Sequence, residues 1–107
     1  MIMSTTDTVP GYKVVENLGI VKGNTVRARH FGHDFMAGLK NLVGGEIEDY
    51  TKLLAESREQ ALDRMIERAE ELKADAIIGI RFMTSSVMQG AAELLAYGTA
   101  VRIKKER

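Results

Sequence analysis

The period of the apolar positions changes along the chain. From Tyr12 to Arg29 the β-branched residues Val14, Val15, Ile20, Val21, Thr25 and Val26 dominate, which is strand texture, and the Lys22-Gly23-Asn24 cluster in their midst predicts a hairpin turn. Pro10-Gly11 sets this segment off from a short opening stretch. Phe35, Met36, Leu39, Leu42 and Val43 then recur at helical spacing, with Asp34 at the favourable end of the dipole and Gly44-Gly45 as the stop.

A longer helix is predicted over 47–73. Tyr50, Leu54, Ala61, Met65, Ala69 and Leu72 keep the i, i+3/i+4 spacing, Leu53, Leu62 and Ile66 widen the stripe, and no Gly or Pro interrupts it. After Asp75 the texture returns to strand in Ala76 to Thr84, with apolar residues on both faces. Residues 85–90 read as a turn or wide loop. The last segment, Leu94 to Lys104, alternates Leu95, Tyr97, Thr99, Val101 and Ile103 with Ala96, Gly98 and Ala100.

One face of this sheet is bulky and the other small. Gly19, Gly79, Ala96 and Gly98 would let a helix lie close, whereas Ile78, Ile80, Phe82, Leu95, Tyr97 and Val101 need a second cover. A single long helix covers one face only, so the pattern implies that a neighbouring subunit supplies the missing layer. By the same placement Gly98 lies under the helix and Gly23 in an exposed turn, so Gly98→Val should destabilise more than Gly23→Ala. The fold class is therefore α+β, one domain over 1–107, with an antiparallel sheet and one long helix packed on one face.

Composition narrows the function classes. The 107 residues are 45% hydrophobic and 28% charged, the profile of a chain that buries a core. Fifteen basic and fifteen acidic residues cancel, which gives no general bias toward nucleic acid or an acidic membrane surface. Cysteine is absent, which removes disulfides, thiolate nucleophiles and Cys-type zinc sites together. The opening residues lack a basic region followed by an apolar stretch, and the longest apolar run, 76–80, is far short of the ~20 residues of a membrane helix, so a cytoplasmic location is expected.

The candidate chemistry is sparse. His30 and His33 stand in a His-x-x-His spacing with Asp34 adjacent, the one constellation that suggests a divalent metal ion. Zinc normally takes at least three protein ligands, and Phe31-Gly32 between the histidines reads as loop, so no tightly bound metal is expected there. Glu56, Glu59, Asp63, Glu67 and Glu70 line one side of the long helix, spread along a rod rather than converging, as a solvated face would be. Gly44-Gly45 with Lys40 could present helix N–H groups to an anion but lacks the Gly-Lys-Ser/Thr of a phosphate loop. Neither Ser4, Ser57, Ser85 nor Ser86 stands in a nucleophile elbow, and no catalytic constellation emerges. The basic tail 102–107 reads as a solubilising end, with no nucleic-acid partner expected.

The segments Ser4-Thr5-Thr6, Val14-Val15-Glu16 with Gly19-Ile20-Val21, Asp34 to Leu39 with Val43-Gly44-Gly45, Ala74 to Ile80, and Gly98 to Val101 resemble, in order and spacing, the YbjQ-like family. The resemblance implies a small α/β subunit similar to the dodecin-subunit class. It also implies a homopentameric ring in which short extra strands join neighbours. The family carries a heavy-metal-binding description without an established reaction, so no functional residue transfers to this chain. Two functional classes follow: a module that binds a metal ion or small ligand at subunit interfaces, or a scaffold ring that presents its acidic helix face to a protein partner.

Overall fold

The computed structural model describes residues 1–28, 47–88 and 91–106. In chain order they form β1 (Ile2–Met3), β2 (Tyr12–Ala28), α1 (Ile47–Glu71), β3 (Ala76–Met88) and β4 (Ala91–Lys105). The sheet order is β1-β3-β4-β2. β2, β3 and β4 pair antiparallel, while β1 joins β3 in parallel at the edge. The sequence-predicted helix over 34–43 lies outside the described residues.

α1 packs on β2 and β4. Its buried seam is Ser57, Ala61, Met65 and Ala69, one residue per turn, flanked by the half-buried Leu62 and Ile66. The seam meets Val21, Leu94, Ala96 and Ala100, with Ile77 and Ile80 completing the core from β3. Small residues on both surfaces bring the two backbones close.

At Gly23 the approach is close enough to exclude a side chain. This glycine is not in a turn: β2 runs unbroken from Tyr12 to Ala28, and Lys22, Gly23 and Asn24 pair with Tyr97, Ala96 and Leu95. A Cβ on Gly23 would overlap the Ala61 carbonyl and the Met65 amide, and would stand 2.8 Å from Cβ of Arg64. The glycine taken for a turn residue is a contact residue, while a Cβ on Gly98 would meet Ile77, Ile78 and Ile80 of β3 rather than the helix, so the ground for ranking Gly98→Val above Gly23→Ala is gone.

β-Bulges interrupt the alternation. On β3 the register passes from Ile78↔Thr99 to Arg81↔Tyr97, so Gly79 and Ile80 together oppose Gly98. Gly79 takes φ +62° to make the bulge. The extra residue turns Ile80 onto the helix side with Ile77, away from Ile78, which corrects the grouping of Ile78, Ile80 and Phe82 on one face. On β2, Val15 and Leu18 are the extra residues, and the Asn17 side chain accepts a 2.8 Å bond from the Gly19 amide, which stands at φ +104°. Gly19 and Gly79 thus serve bulges rather than clearance for the helix.

β3 continues to Met88 and β4 begins at Ala91, paired Met88↔Ala91, so residues 85–88 are strand rather than loop. At the other end α1 stops in a Schellman motif: the Ala74 amide bonds the Ala69 carbonyl at 3.0 Å and the Lys73 amide bonds Glu70 at 2.9 Å. Lys73, at φ +61°, occupies the left-handed position that usually takes glycine. Arg102 closes the end by donating to the Lys73 carbonyl at 2.9 Å.

The segment from Ser4 to Gly11 crosses between the two sheet edges. Ser4 and Thr6 exchange backbone bonds with Ile77, Gly79 and Ile80, and Arg81 on the helix-free face donates to the Thr5 carbonyl at 2.7 Å. Val101, expected to need a cover from outside, is 1% exposed within the chain itself, and its partner Ala76 is fully buried. Among the described residues no helix or strand covers the rest of the helix-free face.

Candidate ligand surface on the sheet

The lengths of the elements decide how much sheet remains uncovered. The 17 residues of β2 extend ~56 Å, and the 25 residues of α1 only ~38 Å. The molecule measures 59 × 24 × 17 Å, set by the strands rather than the helix. One helix therefore covers part of one face, and Phe82, beside Ala96 on that side, is still 46% exposed.

The opposite face is read from the register in rows across β2, β4 and β3: Ile20, Thr99, Ile78; Lys22, Tyr97, Arg81; Asn24, Leu95, Met83; then Val26, Glu93, Ser85. Ile20 is 78% exposed, Val26 57% and Met83 53%. The Asn24 side chain donates to Glu93 Oε2 at 3.0 Å, so the one carboxylate in these rows already has a partner. This face combines an apolar floor with a basic row, an arrangement suited to protein contact or to an organic anion.

His30, His33 and Asp34 lie outside the described residues, as do Lys40 and Gly44-Gly45. Among the described residues no group of three or more His, Asp or Glu side chains could hold a metal ion. Glu56, Glu59, Asp63, Glu67 and Glu70 are all exposed along α1. Arg64 donates to the Asn24 carbonyl at 2.5 Å and ties the helix to β2. Among the described residues the one ion pair is Glu16–Arg102, at 4.0 Å between exposed side chains. At the far end Lys13 and Lys104 pair across strands, and with Lys105 and Glu106 they line a shallow depression. Sequence reasoning missed the Lys22–Tyr97–Arg81 row, because it placed Lys22 in a turn and had no register for Arg81.

Among the described residues, one helix on one face of a four-stranded mixed sheet defines a two-layer α+β subunit. The profile of the YbjQ family, described as "Putative heavy-metal-binding", matches residues 1–104, and the chain belongs to this family. It is 61% identical over 104 residues to a UPF0145 protein of Archaeoglobus fulgidus, covering 97% of this chain and 96% of that one. A UPF0145 protein of Fervidobacterium nodosum is 62% identical over 105 residues, with coverage of 98% and 97%. One from Thermus thermophilus is 55% identical over 107 residues, with coverage of 100% and 94%. The fold is shared with a crystal structure of a protein of unknown function from Pediococcus pentosaceus, of the DUF74 family. That match has a TM-score of 0.65 at 19% identity and covers 97% of this chain and 98% of that one. No described helix is long and apolar enough to cross a membrane.

Proposed function

We propose that the chain, a single domain over 1–107, is a cytoplasmic self-assembling binding module: a homo-oligomer, pentameric by family resemblance, that holds a small ligand at the open sheet face between subunits. The observation that carries this reading is the exposure of Ile20, Val26 and Met83 on that face, three apolar side chains that a neighbouring copy would cover. Light scattering at micromolar concentration tests it. A mass five times the 11.8 kDa subunit is expected, and a mass of one subunit overturns the reading.

A scaffold role is the second reading, supported by the five exposed carboxylates along α1. It predicts that neutralising Glu59, Asp63 and Glu67 together leaves the assembly mass unchanged and removes only binding to a basic protein partner. Loss of assembly in that variant would place the acidic face inside the oligomer and end this role.

A further inference from the structure

Tyr97 is the centre of a row that spans three strands. Its register partners are Lys22 on β2 and Arg81 on β3, so all three side chains share the helix-free face. Lys22 and Arg81 are exposed and Tyr97 is half-buried. The two cationic positions stand ~10 Å apart, twice the spacing of neighbouring strands. The apolar floor on either side consists of Ile20 and Ile78 in one adjacent row and Leu95 and Met83 in the other.

Among the described residues little negative charge faces this row. Glu93 stands two rows away with Asn24 bonded to it, and Asp7 lies beside Gly79, 3.9 Å from where a Cβ would sit. Neither Lys22 nor Arg81 is in the ion pair found among the described residues. Arg81 Nη1 bonds the Thr5 and Ile80 carbonyls at 2.7 and 2.8 Å, which anchors the guanidinium at the β3 end of the row.

A flat aromatic side chain between two positive charges, one of them anchored, offers stacking and anion attraction together. A divalent cation would meet two like charges there and no convergent carboxylates. We propose that the Lys22–Tyr97–Arg81 row holds an organic anion with a flat ring, of the nucleotide class, and not a metal cation. This rests on the open sheet face being the ligand surface, and it names what that surface binds.

The test is calorimetric titration of the full chain with three probes: ATP, inorganic tripolyphosphate and adenosine. ATP binds, and the charge-only and ring-only probes bind more weakly, each by about tenfold or more. Lys22→Glu and Tyr97→Leu each weaken ATP by about tenfold or more while the circular dichroism spectrum stays unchanged. Lys22 is exposed, so its variant carries the test even if Tyr97→Leu does not fold. The proposal is overturned if ATP gives no binding at millimolar concentration, if tripolyphosphate binds as well as ATP, or if Lys22→Glu leaves ATP affinity unchanged. Zinc binding abolished by Tyr97→Leu overturns it as well. A scattering mass of one subunit would remove the assembly reading alone and leave the titration to decide this one.

Discussion

Gly23 and Met65 are in backbone contact: a Cβ on Gly23 would overlap the Met65 amide nitrogen as well as the Ala61 carbonyl. Helix backbone cannot yield as a side-chain end can, so Gly23→Ala must push α1 off the sheet or bend β2. Gly98 is crowded in a softer way, with an added Cβ 2.8 Å from a methyl of Ile77, 3.1 Å from Ile80 Cγ1 and 3.0 Å from the Ile78 carbonyl. Overpacking of this kind costs about 1–3 kcal/mol and more where the backbone is involved. Gly23→Ala is expected at about 3 kcal/mol and Gly98→Ala at about 1–2 kcal/mol. Urea denaturation midpoints in the opposite order would show that the helix does not rest on Gly23.

Lys73 offers a change in the favourable direction. Its φ of +61° places a β-carbon where only glycine sits without strain, and the Schellman bonds from Lys73 and Ala74 hold it there. The interaction with Arg102 uses the Lys73 carbonyl and survives any side-chain change. Lys73→Gly should therefore stabilise the fold by roughly 0.5–1 kcal/mol, with Lys73→Ala giving no such gain. An unchanged or lower thermal midpoint for Lys73→Gly would mean that the lost backbone entropy outweighs the relieved strain.

How much of the fold is legible in the sequence follows from what pattern encodes. Ala61, Met65 and Ala69 announced the buried stripe because helical period survives any packing, and Ala96, Gly98 and Ala100 announced the small face because β4 has no bulge to break its alternation. β2 and β3 were harder. Lys22-Gly23-Asn24 has the composition of a turn, and a glycine needed for helix clearance looks the same in sequence as one needed for positive φ. The extra residue at Gly79 and Ile80 shifts Arg81 into line with Tyr97, and nothing local to those residues marks a bulge. The basic row on the open face was illegible for that reason: its members are 22, 81 and 97, and only the register assembles them.

Val101 and Ile20 separate folding from assembly. Val101 is 1% exposed within one chain and Ile20 78% exposed on the open face. Val101→Glu buries an unpaired carboxylate, a cost of several kcal/mol against a stability that is itself of that order, so the subunit itself should unfold. Ile20→Glu leaves the subunit core intact and should lower the scattering mass while preserving the circular dichroism spectrum. If Ile20→Glu assembles as the parent does, the Ile20 row lies outside the contact between copies.

The family's metal description makes a direct demand on this chain. His30, His33 and Asp34 offer two imidazoles and one carboxylate in a segment that contains Gly32. A closed zinc site takes four ligands, and without cysteine the remaining donors for a soft ion are methionine and carboxylate. Among the described residues no cluster of three His, Asp or Glu groups supplies an alternative. Equilibrium dialysis against micromolar zinc, nickel and copper, followed by elemental analysis, should therefore find less than one ion per chain. The double variant His30→Ala, His33→Ala should match the parent within error. One tightly held ion per chain, lost in the double variant, would show instead that these histidines close a site with ligands from a neighbouring copy, since one chain's local set is too small to do it alone.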